Sequence, residues 1–352
     1  MRRRLERNGV FDQMSIIVDA FGGDHAPQAV IQGAAMAVQQ LGVEITLVGD
    51  EQIIRKTAEE QGTSLEQIRI LHTDEVFEMH EEPTSILKAH KNCSMAVGLR
   101  ALRDDQGDAF VSAGSTGALV VGATFLAKRS PGIKRAALAP LLPTAKGVSM
   151  LIDCGANADC RPEMLVQFAL MGSAYMKNVM GVENPAVGLV NIGSEDTKGR
   201  ELEIETYHRL QEAPVNFRGN LEAREIPGGE YDVIVTDGFT GNVILKLYEG
   251  MGSFFAHKLK DVFGGVSGKL SAALVLPRIK AFKKQMDYSE VGGAVLMGIA
   301  KPVIKAHGSS DVRAFYNAIR QAKACADEKM IETLTASVAA LQAMEEKKIE
   351  RA

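Results

Sequence analysis

Short apolar runs with no polar alternation recur along the chain. They are Ser15–Asp19 (SIIVD), Glu44–Val48 (EITLV), Ile68–Leu71 (IRIL), Asp108–Val111, Met150–Asp153, Val187–Asn191 and Tyr231–Thr236. Runs of this kind suit strands buried on both faces. Between them apolar residues return at helical spacing, at 27–41, 52–61, from Thr116, after Pro162, across 200–211 and from Gly241. The alternation predicts repeated βα units: an α/β protein with a mostly parallel sheet covered by helices on both faces, a three-layer αβα arrangement. Nothing of low complexity divides the chain. Residues 1–14 read as an N-terminal extension ahead of the first strand, 15–330 as one unit with two sub-domains, and 331–352 as a C-terminal helix with a charged end.

One uncharged stretch, Ala109–Ala127, approaches the ~20 residues needed to span a bilayer. SAGSTG lies inside it, and a Ser/Thr/Gly cluster reads as a turn between a buried strand and a buried helix. The balance of 46% hydrophobic and 24% charged residues over 352 positions excludes a largely disordered chain. A net charge of −4 argues against a general nucleic-acid binder. Four cysteines, Cys93, Cys154, Cys160 and Cys325, form no CxxC pair, which argues against a zinc ribbon or a disulfide framework and for a reducing, cytoplasmic setting. The start, MRRRLERNGVFDQ, has no apolar core of a secretory signal.

In open α/β sheets ligands bind beyond the carboxyl ends of strands. Five such ends are rich in Gly and polar residues: DAFGGDHAP (19–27), SAGSTGA (112–118), DCGANADCRP (153–162), NIGSEDTKGRE (191–201) and TDGFTGN (236–242). The expectation is that all five lie at one end of one sheet. In SAGSTGA, Gly114 and Gly117 let backbone N–H groups converge, and Ser112, Ser115 and Thr116 add hydroxyls at a helix N-terminus that favours an anion. A plain helix cap is the alternative. No Gly-Lys-Ser/Thr follows, so a triphosphate loop is not indicated. DAFGGDHAP lacks GxGxxG; Asp19, Gly22, Gly23, Asp24 and His25 are candidates for substrate binding, with Asp24 also a candidate N-cap ahead of Pro27.

Lys198 follows a strand end, where an ammonium can meet a phosphate or a developing oxyanion; the alternative is a solvated loop lysine. Asn242 offers a neutral amide donor or a cap for the helix that follows, and Asp237 begins the same loop. Asn157 lies in the third loop. Cys154 and Cys160 raise a covalent thioester route, for which no Cys–His pairing is visible in the sequence. Residues 251–287 carry seven Lys/Arg against two acids. They read as an amphipathic helical hairpin whose uncharged tip includes Leu270, Leu274 and Leu276, flanked by Lys280, Lys283 and Lys284. Such a hairpin suits an anionic bilayer surface, the acidic surface of a protein partner, or in part a dimer interface.

Taken together the loops resemble the PlsX-type phosphate acyltransferases. The matching stretches are VDAFGGDHAP, SAGSTGALV, PGIKRAALAPLLPT, DCGANADCRP, VNIGSEDTKG, VTDGFTGNVILK and KAHGSSD at 305–311, in order from about residue 15 to 320. The family usually has Met at the position of Phe21 and Asn at that of Ser115. The resemblance implies a fold similar to the isocitrate and isopropylmalate dehydrogenases and phosphotransacetylase, a homodimer, and a site in a cleft between sub-domains. It implies a reaction in which inorganic phosphate attacks the thioester of a fatty acyl-acyl carrier protein, giving acyl phosphate for phospholipid synthesis and free carrier, with no metal or other cofactor. It also implies a cytoplasmic enzyme associated peripherally with anionic membrane. On that basis SAGSTG and its neighbours hold phosphate, while Lys198 and Asn242 are the catalytic groups. The competing expectations are an acyl-coenzyme A enzyme of the phosphotransacetylase kind, an NAD- and metal-dependent dehydrogenase lacking recognisable metal aspartates, and a non-catalytic scaffold.

Overall fold

The computed structural model describes residues 13–262, 292–327 and 330–349. It divides into two compact units, 1–131 with 292–331 and 132–291 with 332–352. In the first, β1 (Ser15–Asp19), β2 (Glu44–Gly49), β3 (Ile68–His72) and β4 (Ala109–Ser112) are joined late in the chain by β11 (Ala294–Met297) and β12 (Val303–Lys305). Their order is β3-β2-β1-β4-β12-β11. All neighbours are parallel except β11 with β12. Ile16, Ile17 and Val18 on the central strand are fully buried, which is why that run shows no alternation. Met14 is buried too, and its carbonyl accepts from the Glu44 amide at 2.8 Å.

Helices α1 (Gln28–Leu41), α2 (Glu51–Glu60), α3 (Ser94–Arg103) and α4 (Thr116–Gly122), with α8 (Val312–Asp327), belong to this unit. α1 and α8 meet at Gly33, where a Cβ would fall 2.7 Å from Cβ of Phe315. Asp50 caps α2 through the amides of Gln52 and Ile53. α4 passes into a π-helical turn at Ala123–Lys128. The uncharged stretch at 109–127 is therefore strand, turn and helix, and no helix among the described residues is long and apolar enough to cross a membrane.

The second unit holds β5 (Ala137–Ala139), β6 (Leu141–Thr144), β7 (Gly147–Ile152), β8 (Ala186–Asn191), β9 (Asn216–Glu222) and β10 (Val233–Val235). Its five-stranded sheet runs β6-β7-β10-β8-β9, parallel apart from β6 against β7. Helices α5 (Pro162–Asn178), α6 (Glu201–Glu212), α7 (Gly238–Val262) and α9 (Met330–Ile349) complete it.

The single sheet expected from the strand count is corrected to two. Two of the five loops follow strands of the first sheet and three follow strands of the second. The antiparallel strands β6 and β11, the edge strand β9 and helices α3 and α8 add elements that the apolar runs did not mark. β9, NFRGNLE, is polar with an internal Gly, and α3 starts at Ser94 with Cys93 in the N-cap position and no side-chain cap. α7 begins at Gly238, three residues before the expected start, and the hairpin tip residues Leu270, Leu274, Leu276, Lys280, Lys283 and Lys284 lie outside the described residues.

Candidate functional site

In the first unit the loop after β1 and the loop after β4 are tied together from below. Asp19 is buried; one carboxylate oxygen accepts from Ser94 Oγ at 2.6 Å and the Phe21 amide at 3.2 Å, the other from Ser112 Oγ at 2.7 Å. Ser112 Oγ in turn accepts from the Gly114 amide at 3.0 Å. Burial pushes the Asp19 carboxyl upward, opposed by the bonds from Ser94, Ser112 and Phe21 and by the charge of Lys305. Asp19 and Ser112, both candidates for substrate contact, thus engage each other, the Ser94 hydroxyl and the amides of Phe21 and Gly114. Lys305, buried at the end of β12, donates to the Ala113 carbonyl at 3.2 Å.

Gly22 is required by close approach, since a Cβ there would sit 2.6 Å from the Gly114 nitrogen and 2.8 Å from an Asp19 carboxylate oxygen. Gly23 has φ +103°, a conformation that side chains resist. The Asp24 amide donates to the Gly308 carbonyl at 2.8 Å, joining KAHGSSD to the same cluster. Asp24 and His25 are exposed. The expected N-cap role of Asp24 is corrected: α1 starts at Gln28 with Pro27 in the N-cap position and no side-chain cap, because Asp24 lies three residues before Pro27. Ser115 caps α4 weakly, its Oγ 3.5 Å from the Ala118 amide. The first-turn amides of Thr116 and Gly117 have no partner within the helix.

In the second unit β7, β10 and β8 are neighbours in parallel, so their carboxyl-end loops sit side by side. Asp153 is fully buried and accepts from the amides of Leu138 (2.8 Å), Ala156 (3.2 Å) and Asn157 (2.7 Å) and from Asn157 Nδ2 (2.9 Å). Asn157, a candidate for substrate contact, also donates to the Ala136 carbonyl at 2.7 Å, and its carbonyl accepts from Gly238 at 2.8 Å. Burial raises the Asp153 carboxyl against those bonds. Asp237 is buried and caps α7, accepting from Thr240 N at 2.8 Å and Thr240 Oγ1 at 3.0 Å. Asn242, expected as a possible cap, lies instead inside the helix beside Gly155, and its amide makes no hydrogen bond to a described residue. The Lys198 ammonium likewise has no described partner, although its backbone is held: its carbonyl accepts from Asn191 Nδ2 at 2.9 Å and its amide donates to the Glu195 carbonyl at 3.2 Å.

Several structural partners escaped the sequence reading. Ser94 is brought to Asp19 by a helix the pattern did not mark, and Asp153, Lys305, Arg200 and Glu203 sit in quoted or adjacent segments without standing out. Cys154 is buried and Cys160 partly so. Burial drives the Cys154 thiol well upward and that of Cys160 to about 12, with Asp153 adding repulsion in both. Thiols so held stay protonated near neutral pH, the reverse of what a nucleophile needs. Among the described residues no group of three or more His, Cys, Asp or Glu is placed to hold a metal ion.

Comparison with known proteins places this geometry. The solved phosphotransacetylase of Streptococcus pyogenes matches with a TM-score of 0.60 at 17% identity, over 93% of this chain and 94% of that one. A 4-hydroxythreonine-4-phosphate dehydrogenase from Klebsiella pneumoniae matches with a TM-score of 0.52 at 13% identity, over 89% and 99%. The fold is that of the phosphotransacetylases and of this dehydrogenase class. The family described as "Fatty acid synthesis protein" matches residues 14–333. The phosphate acyltransferase of Oceanobacillus iheyensis is 47% identical over 95% of this chain and 100% of its own length, and that of Alkaliphilus oremlandii 45% identical over 93% and 98%. The chain belongs to the phosphate acyltransferase family and is an acyltransferase.

Proposed function

We propose that the enzyme transfers a fatty acyl group from acyl carrier protein to inorganic phosphate. A phosphate oxygen attacks the thioester carbonyl carbon, the tetrahedral oxyanion collapses with loss of the carrier thiolate, and acyl phosphate and free carrier thiol are released. Phosphate, with a relevant pKa of roughly 6–7, is substantially dianionic near neutral pH; it needs placement more than deprotonation, and placement supplies several kcal/mol. The glycine-rich turn at Ser112–Gly117, with Gly22, Gly23, Asp24 and His25 beside it, is assigned to anion binding. Lys198 and Asn242 are assigned to steadying phosphate and the oxyanion. The observation that carries this reading is the pair of donors left without described partners, Lys198 on the loop after β8 and Asn242 near the start of α7, the helix that follows the adjacent strand β10, in a chain of this family.

The test compares acyl carrier protein and coenzyme A thioesters of equal chain length, with phosphate as acceptor. A kcat/KM at least ~10-fold higher for the carrier thioester is expected; preference for coenzyme A would transfer the reading to a phosphotransacetylase-like enzyme.

A homodimer in contact with anionic membrane belongs to the same proposal. α7 leaves Phe239, Val243, Leu247, Met251 and Phe254 exposed at helical spacing, a stripe larger than isolated surface residues produce. The sequence that follows, outside the described residues, is basic around an uncharged LSAALVLP stretch, the composition of an interfacial segment. Light scattering is expected to give twice the chain mass. Flotation on anionic vesicles is expected to be lost in Leu274→Glu with Leu276→Glu while turnover of soluble substrate persists. A monomer, or binding that survives the substitutions, sinks the respective half.

A further inference from the structure

Directly after Lys198 the chain reads Gly-Arg-Glu, and α6 begins at that Glu. Arg200 occupies its N-cap: its amide donates to Glu203 Oε2 at 2.7 Å, while its own guanidinium Nε donates to the same carboxylate at 3.1 Å. The guanidinium does not stop there. Nη2 also reaches Asp237 Oδ2, on the next loop, at 2.6 Å. Both carboxylates are buried, Glu203 at 7% and Asp237 at 4% exposure, while the Arg200 side chain that spans them is 64% exposed, so the strut's weight lies in its geometry across two loops more than in charge energy. Asp237 uses its remaining capacity on Thr240, in the first turn of the helix that carries Asn242. The planar fork of Arg suits two carboxylates at once, as the point charge of Lys does not.

The Lys198 loop is therefore pinned twice. Before it, Asn191 Nδ2 holds the Lys198 carbonyl; after it, Arg200 bridges to Asp237. We infer that Arg200 is a positioning residue: through Asp237 and Thr240 it locks the loop bearing Lys198 to the helix turn bearing Asn242. The inference rests on the roles given to Lys198 and Asn242 above. It also revises Asp237 from a substrate contact to the far end of this strut, since its oxygens are occupied by Thr240 and Arg200.

The test is a double-mutant cycle on the full chain. In the wild-type background Arg200→Ala should lower kcat by about 10–100-fold, the scale of a ~1 Å misplacement. KM for both substrates should stay within about 3-fold, the pattern of a loss felt in the transition state. In a Lys198→Ala background the same substitution should cost less than about 3-fold, because the group it positions is gone. Arg200→Lys should recover only part of the activity. Should Arg200→Ala lose its folded circular dichroism, Asp237→Asn removes the strut from its other end and is read the same way. Full multiplicativity of the two losses, a rise in KM for phosphate with kcat unchanged, or near-normal kcat in the folded variants would each overturn the inference. If instead the wild-type enzyme shows no phosphate-dependent acyl transfer, it is the proposed function that fails, and the cycle is not what decides it.

Discussion

Lys198→Ala and Asn242→Ala are each expected to lower kcat by about 10²-fold or more, the cost of removing one preorganised donor to developing charge. Folding should be almost unaffected. Both side chains are exposed and make no hydrogen bond to a described residue, and surface substitutions of this sort stay within ~0.5 kcal/mol. Asn in a helix is also a poorer former than Ala, so the Asn242 variant has no reason to melt earlier. The separation of the two readouts gives the prediction its force. A structural residue would move stability along with rate; these two should move rate alone. Phosphate-dependent release of the free carrier thiol measures the first, and chemical denaturation the second. Near-normal kcat in both folded variants would remove them from the chemistry.

How much of this was readable beforehand follows from what each feature depends on. β1, β2, β8 and β10 are largely buried parallel strands, so their apolar runs stand out, and β1, β8 and β10 run into Gly-rich loops at their carboxyl ends, where ligands bind in such sheets. β9 is a polar edge strand, and β6 and β11 pair antiparallel, so no run marks them. The partition into two sheets was invisible because nothing in a local pattern says which neighbour a strand will choose. The same limit applies to the site. Lys198 and Asn242 were picked from loop position, which sequence supplies. The supports were not: Ser94 meets Asp19 across 75 residues and Arg200 meets Asp237 across 37, distances along the chain over which spacing carries no information. Asp19 ends β1, while Asp153 and Asp237 lie just past β7 and β10; each is buried and accepts from at least one backbone amide of its own loop. Asp19 and Asp237 read as substrate contacts in the sequence; in the structure their oxygens accept from Ser94, Ser112 and Phe21 and from Thr240 and Arg200, groups that local spacing does not reveal.

Gly241→Ala should combine the two kinds of damage that Lys198→Ala and Asn242→Ala keep apart. A Cβ at Gly241 would lie 1.9 Å from the Asp153 carbonyl oxygen. That atom is backbone at the end of β7, followed by a carboxylate that holds four donors in place. It cannot swing aside as a side chain would. The first turn of α7 must therefore lift off the strand end by more than 1 Å or so to restore van der Waals distance, and overpacking of this kind costs about 1–3 kcal/mol or more. Asn242 is the next residue, so the lift carries the proposed oxyanion donor with it, at a rate cost of about 10²-fold. Gly252→Ala, in the same helix, provides the contrast. Nothing lies within 4 Å of its would-be Cβ, and replacing a helical Gly by Ala should raise stability by about 0.5–1 kcal/mol with kcat unchanged. Thermal denaturation and steady-state rates on the two variants, side by side, check the argument. Gly241→Ala with wild-type melting and wild-type kcat would mean that α7 does not press on the end of β7, and the support drawn here for Asn242 would go with it.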